Sequence, residues 1–240
     1  MTSEYHSRPR DAAAEQIECY IIENGLSAHQ KLPSERDMCA MWGLNRTTLR
    51  SAIHRLVMEG VLYNRMGSGT FVAPPKLVRN LQDVIGFGSA AQEAGRVLST
   101  RVISAGLREA NKQVAQRLKL PLGHKTFKLS RIRLLEGVPV LLETSYLDAL
   151  RFKGIESYDF SQLSLYQVLE KNYDIRISRG EERLNVTYTD EEEAQLLGIL
   201  EGAPVIYQTG VVSDEENVPV DYFKSIARSE YIRFASVLVR

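Results

Sequence analysis

The stretch LPSERDMCAMWGLNRTTLRSAIHRLVMEGVLYNRMGSGTFV, residues 32–72, decides the fold of the N-terminal part of this chain. Ser34 is suited to cap a helix, and Gly43 is suited to end it because glycine tolerates the left-handed conformation. Asn45 can cap a second helix with an apolar stripe that ends at Gly60. Two short apolar segments follow, separated by a glycine-containing loop. The stretch therefore predicts a helix, a turn, a helix and a two-stranded wing.

The start of the second predicted helix carries a cluster of hydrogen-bond donors, namely Arg46, Thr47, Thr48 and Arg50. A helix that enters the DNA major groove by its N-terminus uses guanidinium groups for guanine edges and phosphates, and hydroxyls for backbone oxygens. Taken alone, the same residues would also fit an ordinary solvated surface helix. The ordered combination of caps, donor cluster, apolar stripe and glycine wing favours DNA binding.

The charge distribution agrees with a DNA-binding N-terminal part. The 240-residue chain has 30 basic and 30 acidic residues, and its hydrophobic content of 44% is ordinary for a soluble globular protein. Between Lys31 and Lys76, however, seven basic residues face only three acidic ones. The segment that contains the predicted motif is therefore locally basic, although the whole chain is formally neutral.

Composition also predicts several absences. The two cysteines and four histidines have no metal-ligand spacing, so the sequence predicts no metal ion, no other cofactor and no catalytic residues. No apolar run approaches the ~18 residues of a membrane span, and the first ten residues lack the apolar segment of a signal peptide. We expect a cytoplasmic protein.

Two domains are predicted, and the fold class is α/β (α+β). A helix near residues 11–24 would complete a three-helix core, and Pro74 with Pro75 would end the first domain because consecutive prolines cannot continue a ladder. The expected boundaries are 1–75 for the winged helix-turn-helix DNA-binding domain, 76–83 for a linker and 84–240 for a second domain. In the second domain, strands interleaved with helices predict a mostly antiparallel sheet with helices on one face.

A predicted hairpin in the second domain brings charged side chains together. Arg131 and Arg133 are two residues apart on a strand, so their guanidinium groups point to one face. A three-residue loop at 136–138 would place Arg131 opposite Glu143. These groups could form the polar floor of a pocket that binds a carboxylate or phosphate, or a simple cross-strand ion pair on a solvated face.

The N-terminal motif resembles the winged helix-turn-helix of GntR-type bacterial transcription regulators, on the segments LPSERD, NRTTLR and GSGTFV. With the features described above, the resemblance implies a set of DNA-contacting residues. The set is Arg36, Asn45, Arg46, Thr47, Thr48, Arg50, Gly67 and Gly69. Met66 stands where relatives often have a basic or imidazole side chain, so a main-chain contact is expected from the wing.

The region after the linker resembles the UTRA effector-binding domain of the HutC-like GntR branch, on SRIRLLEGVPVLLETSYL, SLYQVLEK, DEEEAQLLGILEGAPV and VPVDYFKSIARSEYIRF. The resemblance implies a chorismate-lyase-like fold and an effector site of six residues: Arg131, Arg133, Glu143, Ser164, Tyr166 and Asp221. Ser164 could also be a helix N-cap, and Tyr166 could belong to the core. Ala227 and the segment GFGS at 86–89 lack hydroxyls of the family pattern, which predicts an effector other than the amino-sugar phosphates of some relatives.

The leading hypothesis is a ligand-responsive transcription regulator, in such families most often a repressor. We expect a homodimer on a pseudo-palindromic operator in double-stranded DNA, since one recognition helix contacts too few bases. The expected effector is a small anionic metabolite such as a sugar phosphate or carboxylate. An exposed sheet face or residues 237–239 could form the dimer interface. Two alternatives are a lyase-like enzyme and a ligand-free dimerisation module fused to the DNA-binding domain.

Overall fold

The computed structural model describes residues 9–65, 67–81 and 87–236 of the chain. They fall into two units, one reaching Lys76 and including Ser229–Tyr231, the other comprising Leu77–Arg228 and the residues from Ile232 onward. The predictions for Met66, for the first residue of GFGS and for residues 237–239 lie outside the described ranges. Every described helix is too short or too polar to cross a membrane.

The first unit contains the predicted helices and wing. Its elements are α1 (Pro9–Glu23), α2 (Glu35–Trp42), α3 (Arg46–Glu59), β1 (Leu62–Arg65) and β2 (Gly69–Val72). The Ser34 side chain accepts a hydrogen bond from the Asp37 amide, and Gly43 and Gly60 end α2 and α3 in the left-handed conformation. Strands β1 and β2 pair antiparallel. The three helices enclose one apolar core, built around Ile17, Met38, Leu49, Leu56 and Leu62.

The second unit is an antiparallel six-stranded sheet with helices, which confirms the mixed α/β class. Its strands are β4 (Leu98–Glu109), β5 (Lys125–Leu135), β6 (Val138–Asp148), β7 (Ile177–Tyr188), β8 (Pro204–Asp214) and β9 (Pro219–Ala227). They lie in the order β4-β5-β6-β9-β8-β7 across the sheet. The helices are α4 (Phe87–Glu93), α5 (Lys112–Leu118), α6 (Leu165–Tyr173) and α7 (Glu191–Leu197), with a 3-10 turn at Ile155–Ser157.

Helices cover both faces of this sheet, so the prediction of helices on one face is wrong. Helix α6 packs against Phe127 and Leu147, whereas α5 packs against Tyr146 and Tyr222. Tyr146 and Leu147 are neighbours on β6, so their side chains point to opposite faces of the sheet. Helices α5 and α6 therefore lie on opposite faces. Helix α7 packs with Ile226, on the same side as α5. The sheet is therefore the middle layer of three, and each face can support its own site.

The turn between β5 and β6 has two residues, not the predicted three. Leu135 pairs with Val138, and Glu136 and Gly137 between them both have positive φ, as in the tight turns of two-residue hairpins. A bulge before Leu134 then shifts the register by one residue. Arg131 consequently pairs with Glu143 as predicted, although the extra residue lies in the bulge and not in the loop.

A separate pair of strands was not predicted. Strand β3 (Leu77–Asn80) lies within the segment that the sequence analysis assigned to the linker, and it pairs in parallel with β10 (Ile232–Ala235). Arg79 of β3 is tied to the main sheet, because its guanidinium donates to Glu182 at 2.5 Å and to Gln208 at 2.9 Å. The start of the second unit is therefore held by both hydrogen bonds and an ion pair.

Candidate functional sites

The start of α3 presents the predicted donor cluster to solvent. Arg46, Thr47 and Arg50 are exposed and Thr48 is partly exposed, whereas Leu49 between them is fully buried. Leu49 belongs to the core of the first unit, so it fixes the rotation of the helix about its axis. The polar side chains on the other side of the helix then project together from its N-terminal end.

Several of these side chains have partners within the first unit. The Asn45 side-chain oxygen accepts a hydrogen bond from the Thr48 amide at 2.8 Å, so Asn45 caps α3. Arg50 Nε donates to Glu35 at 2.8 Å, and Arg36 Nε lies 3.6 Å from an Asp37 oxygen. Exposed ion pairs of this kind contribute little to stability, because water and salt screen both charges. Both guanidinium groups can therefore exchange their carboxylate for a DNA phosphate at little cost.

The two wing glycines differ in their surroundings. Gly67 has φ +71°, and an added Cβ would meet no atom within 4 Å. Glycine is therefore favoured at this position by the left-handed backbone conformation and not by a lack of space. Gly69 has φ +116°, and an added Cβ would lie 3.0 Å from Lys31 Cε. Gly69 therefore also makes room for a basic side chain from the segment before α2.

In the second unit, Arg131, Arg133 and Glu143 lie together on the sheet face that α6 covers. An Arg131 Nη atom donates to a Glu143 carboxylate oxygen at 2.7 Å, and Arg131 and Arg133 are only 4% and 8% exposed. The Nε atoms of both arginines are buried and have no hydrogen-bond partner among the described residues. Two buried guanidinium groups thus share one protein carboxylate and keep donors that no described protein atom satisfies.

The charges in this cluster shift one another's pKa values. Burial would raise the pKa of Glu143, but the guanidinium groups of Arg131, Arg133 and Arg79 outweigh burial and lower it. Burial lowers the pKa of Arg133, while Glu143 acts in the opposite direction. Glu143 is therefore ionised although it is half-buried, and its charge partly compensates two cations.

Tyr166 and Asp221 form a second, deeper layer. The Tyr166 hydroxyl donates to an Asp221 carboxylate oxygen at 3.1 Å, and the same oxygen accepts from Ser145 at 3.0 Å. Burial, together with the charge of Glu143, raises the pKa of Asp221 to about 7. Tyr166 lines the cleft with the arginines, whereas Asp221 is 1% exposed and does not line it. Asp221 therefore reaches the cleft through Tyr166.

Ser164 occupies the N-cap position of α6, but its side chain makes no capping hydrogen bond. It lines a narrow cleft of about 30 Å³ with Arg131, Arg133, Glu143 and Tyr166. The structure thus brings five of the six predicted effector residues to one cleft.

A wider cleft of about 330 Å³ shares Arg133 and Ser164 with the narrow one and adds residues that sequence reasoning missed, among them Gly88, Ser89, Thr100 and Gln167. Thr100 pairs with Arg133 across β4 and β5, so strand alternation could have identified it. Gly88 is constrained by the arginine, because an added Cβ would lie 3.1 Å from Arg133 Nη2. Nothing local in the sequence indicated that α4 would lie there.

Among the described residues, no group of three or more histidine, cysteine or acidic side chains could hold a metal ion. The narrow cleft offers hydrogen bonding and charge, from two guanidinium groups, one carboxylate, one phenol and one hydroxyl. Such a set suits an anionic ligand that carries further polar groups.

Comparison with protein families gives two matches. Residues 9–72 match the gntR family of bacterial regulatory proteins, and residues 93–233 match the UTRA domain. The first match contains the α3 donor cluster, and the second contains all six predicted effector residues. Both predicted sites thus lie within the matched segments.

Full-length relatives share both segments. The chain is 30% identical to the HTH-type transcriptional repressor NagR of Bacillus subtilis (strain 168), over 94% of this chain and 93% of that protein. It is 25% identical to a probable fructoselysine utilization operon transcriptional repressor of Escherichia coli (strain K12), over 88% and 87%. The crystal structure of PhnF from Mycobacterium smegmatis superposes with a TM-score of 0.69 at 25% identity, covering 95% and 99% of the two chains. These relatives are transcription regulators, which argues against the lyase-like enzyme.

Proposed function

Since the chain belongs to the gntR family of bacterial regulatory proteins and carries a UTRA domain, we propose that it is a transcriptional repressor controlled by a small anionic metabolite. The named relatives NagR and PhnF are both HTH-type transcriptional repressors, which supports repression over activation. The chain is a regulator and not an enzyme.

In this proposal residues 1–75 bind DNA, through the exposed donors at the start of α3 and the wing. Arg46 and Arg50 contact guanine edges or phosphates, Thr47 and Thr48 contact the backbone, and Arg36 supplies a further phosphate contact. Asn45 acts through the cap that it forms on α3. Gly67 and Gly69 let the wing backbone approach the duplex.

Residues 84–240 form the effector-binding and dimerisation domain, joined to the first by the segment 76–83. The observation that carries the effector proposal is the pair of buried arginines whose Nε donors have no partner among the described residues. Buried polar groups are almost always hydrogen-bonded in native proteins. A carboxylate or phosphate bound in the cleft against these guanidinium groups would balance the second positive charge, with Ser164 and Tyr166 contacting its other polar groups.

The protein acts as a homodimer, since two recognition helices on a pseudo-palindromic operator are needed for useful specificity. The effector changes operator affinity by the difference between its affinities for the two dimer geometries, typically ~1–3 kcal/mol. The site of action is the cytoplasm, where the bacterial chromosome lies.

A panel of sugar phosphates and dicarboxylates, titrated into a preformed complex of the protein with DNA from its own upstream region, tests this proposal. We expect one class to release the wild-type protein, and R131A to bind the same DNA but to ignore that class. The matched control is R101A, which removes an exposed arginine from the sheet edge. Normal release of R131A by the active compound would refute the site, and no specific DNA binding by the wild type would refute the function.

A further inference from the structure

A second cavity lies on the other face of the sheet, away from the effector cleft. It is open to solvent, its volume is about 650 Å³, and it is bordered by α5, β7, β8 and the β8–β9 turn. Most of its charged side chains are exposed. Arg183 of β7 lines it, while the preceding Glu182 bonds with Arg79 on the face that carries Arg131. Strand alternation therefore assigns the two cavities to opposite faces. We call this the α5–β7 cavity; its polar lining is Gln113, Gln116, Arg117, Lys119, Arg179, Glu181, Arg183, Ser213 and Asn217.

The α5–β7 cavity has a surplus of positive charge. Four basic side chains line it against a single carboxylate, that of Glu181, which pairs with Arg183 at 3.1 Å. Among the ion pairs between described residues, none involves the other three cations, Arg117, Lys119 and Arg179. Like charges gathered without counter-ions repel one another and focus a positive potential in the concave space.

The surroundings add to this surplus. Lys224 donates to the cavity residue Gln113 at 2.9 Å, and burial together with the charge of Lys128 lowers the pKa of Lys224. Under α5, the hydroxyl of Tyr222 is buried and has no hydrogen-bond partner among the described residues. Arg117 lies near enough to oppose the rise that burial causes in the Tyr222 pKa. Beside the cavity, burial and Lys128 thus disfavour the charge of the Lys224 ammonium, and the Tyr222 hydroxyl has no hydrogen-bond partner among the described residues.

We propose that the α5–β7 cavity is a second ligand site, which binds a small, multiply charged anion such as a phosphorylated metabolite independently of the effector cleft. A volume of 650 Å³ is within the usual range of small-molecule pockets, about 300–1,000 Å³. Arg117 and Arg179 can each take a phosphate or carboxylate in a bidentate manner. The amides and the Ser213 hydroxyl can contact uncharged polar groups of the same ligand.

Inorganic pyrophosphate is a suitable probe, since it carries several negative charges and little else. We would titrate it calorimetrically into the full-length protein at low salt. The double variant R117Q/R179Q should bind it at least tenfold more weakly, equivalent to about 1.4 kcal/mol. The charge-conserving R117K/R179K variant should recover most of the affinity, since the positive potential remains while the bidentate geometry is lost.

The matched control is R101Q/R108Q, which removes the same charge from β4 at the opposite edge of the sheet and should bind pyrophosphate as the wild type does. Equal weakening of this control would overturn the proposal, because the effect would follow net charge alone. Loss of binding in R133Q would overturn it by placing the anion in the effector cleft. No wild-type binding, or an altered oligomeric state of R117Q/R179Q with unchanged affinity, would overturn it too. DNA binding by R117Q/R179Q should be retained, so failure here leaves the repressor proposal standing.

Discussion

Replacing Asp221 by asparagine should change how the stability of the second unit depends on pH. Asp221 is 1% exposed, and its carboxylate accepts hydrogen bonds from Ser145, Tyr166 and the Tyr146 amide. Burial and the nearby Glu143 raise its pKa to about 7 from the ordinary 3.8. The folded protein therefore binds this proton more tightly than the unfolded chain does. Asparagine keeps the shape of the protonated acid but cannot ionise.

The sign and size of the effect follow from this pKa difference. Because the folded state holds the proton more tightly, the Asp221 contribution to the free energy of unfolding falls as pH rises from about 4 to about 7, and then levels off. Between pH 5 and pH 8 the wild type should lose about 2–3 kcal/mol that D221N does not lose. The free energy of unfolding of D221N, relative to that of the wild type, should therefore increase as the pH rises from 5 to about 7 and then level off.

Urea unfolding at pH 5, 6, 7 and 8 measures this difference, with far-UV circular dichroism reporting the sheet. The fluorescence of Trp42, the single tryptophan, reports unfolding of the first unit. The urea midpoint of that transition should be the same in D221N as in the wild type. The matched control is D214N. Burial acts to raise the pKa of Asp214, but the contact with Arg151 and hydrogen bonds from backbone amides outweigh burial and lower it. The cost of D214N in stability should therefore be constant over this range. A pH-independent difference between D221N and the wild type would refute the reasoning.

Three further substitutions test individual contacts. G210A should destabilise the sheet by about 1–3 kcal/mol, because the new Cβ would lie 2.6 Å from the Phe223 ring, as circular dichroism of urea unfolding would measure. N45A should destabilise the first unit by about 1 kcal/mol, by loss of the α3 cap, as Trp42 fluorescence would measure. E143Q should cost about 3–5 kcal/mol in the second unit, because it leaves the buried Arg131 without its carboxylate.

For each of these three predictions, one experimental result would contradict the reasoning. An unchanged G210A transition would mean that the Phe223 ring can move aside at no cost. A neutral N45A would mean that the cap bond to the Thr48 amide contributes nothing. If E143Q were as stable as the wild type, the arginines would already be compensated by other groups, and the cleft would lose its reason to bind an anion.

The first unit was predictable because its signals are local. A capping residue, an αL glycine and the next cap lie within a dozen residues, and each fixes a backbone position on its own. The apolar stripe that includes Leu49 and Leu56 then leaves a single way to orient α3. Sequence and structure agree here because no long-range contact decides the outcome.

The pairing of Arg131 with Glu143 was predicted correctly, but the turn from which it was predicted was wrong. The predicted hairpin has the extra residue in its loop, whereas the structure has a two-residue turn and a bulge before Leu134. The two arrangements give the same pairing beyond the bulge. Local turn propensity could not separate them, since Gly137 is left-handed in either case.

Non-local contacts were the part that the sequence could not predict. The parallel pairing of β3 with β10 joins segments about 150 residues apart, and neither segment carries a pattern that identifies the other. The division of helices between two faces depends on which side of each strand receives α5 and α6. The residues that α4 contributes to the wider cleft, such as Gly88 and Ser89, were missed for the same reason.

The central claim, a repressor whose operator affinity depends on an anion in the arginine-lined cleft, is tested most directly by one titration. The purified protein is titrated onto DNA from its own upstream region at several salt concentrations, with and without anionic metabolites. The account predicts saturable binding that weakens steeply with salt, as phosphate contacts require. It also predicts that one class of anion shifts this affinity in the wild type but not in R131A. Absence of specific binding even at low salt, or an equal shift in R131A, would contradict the account.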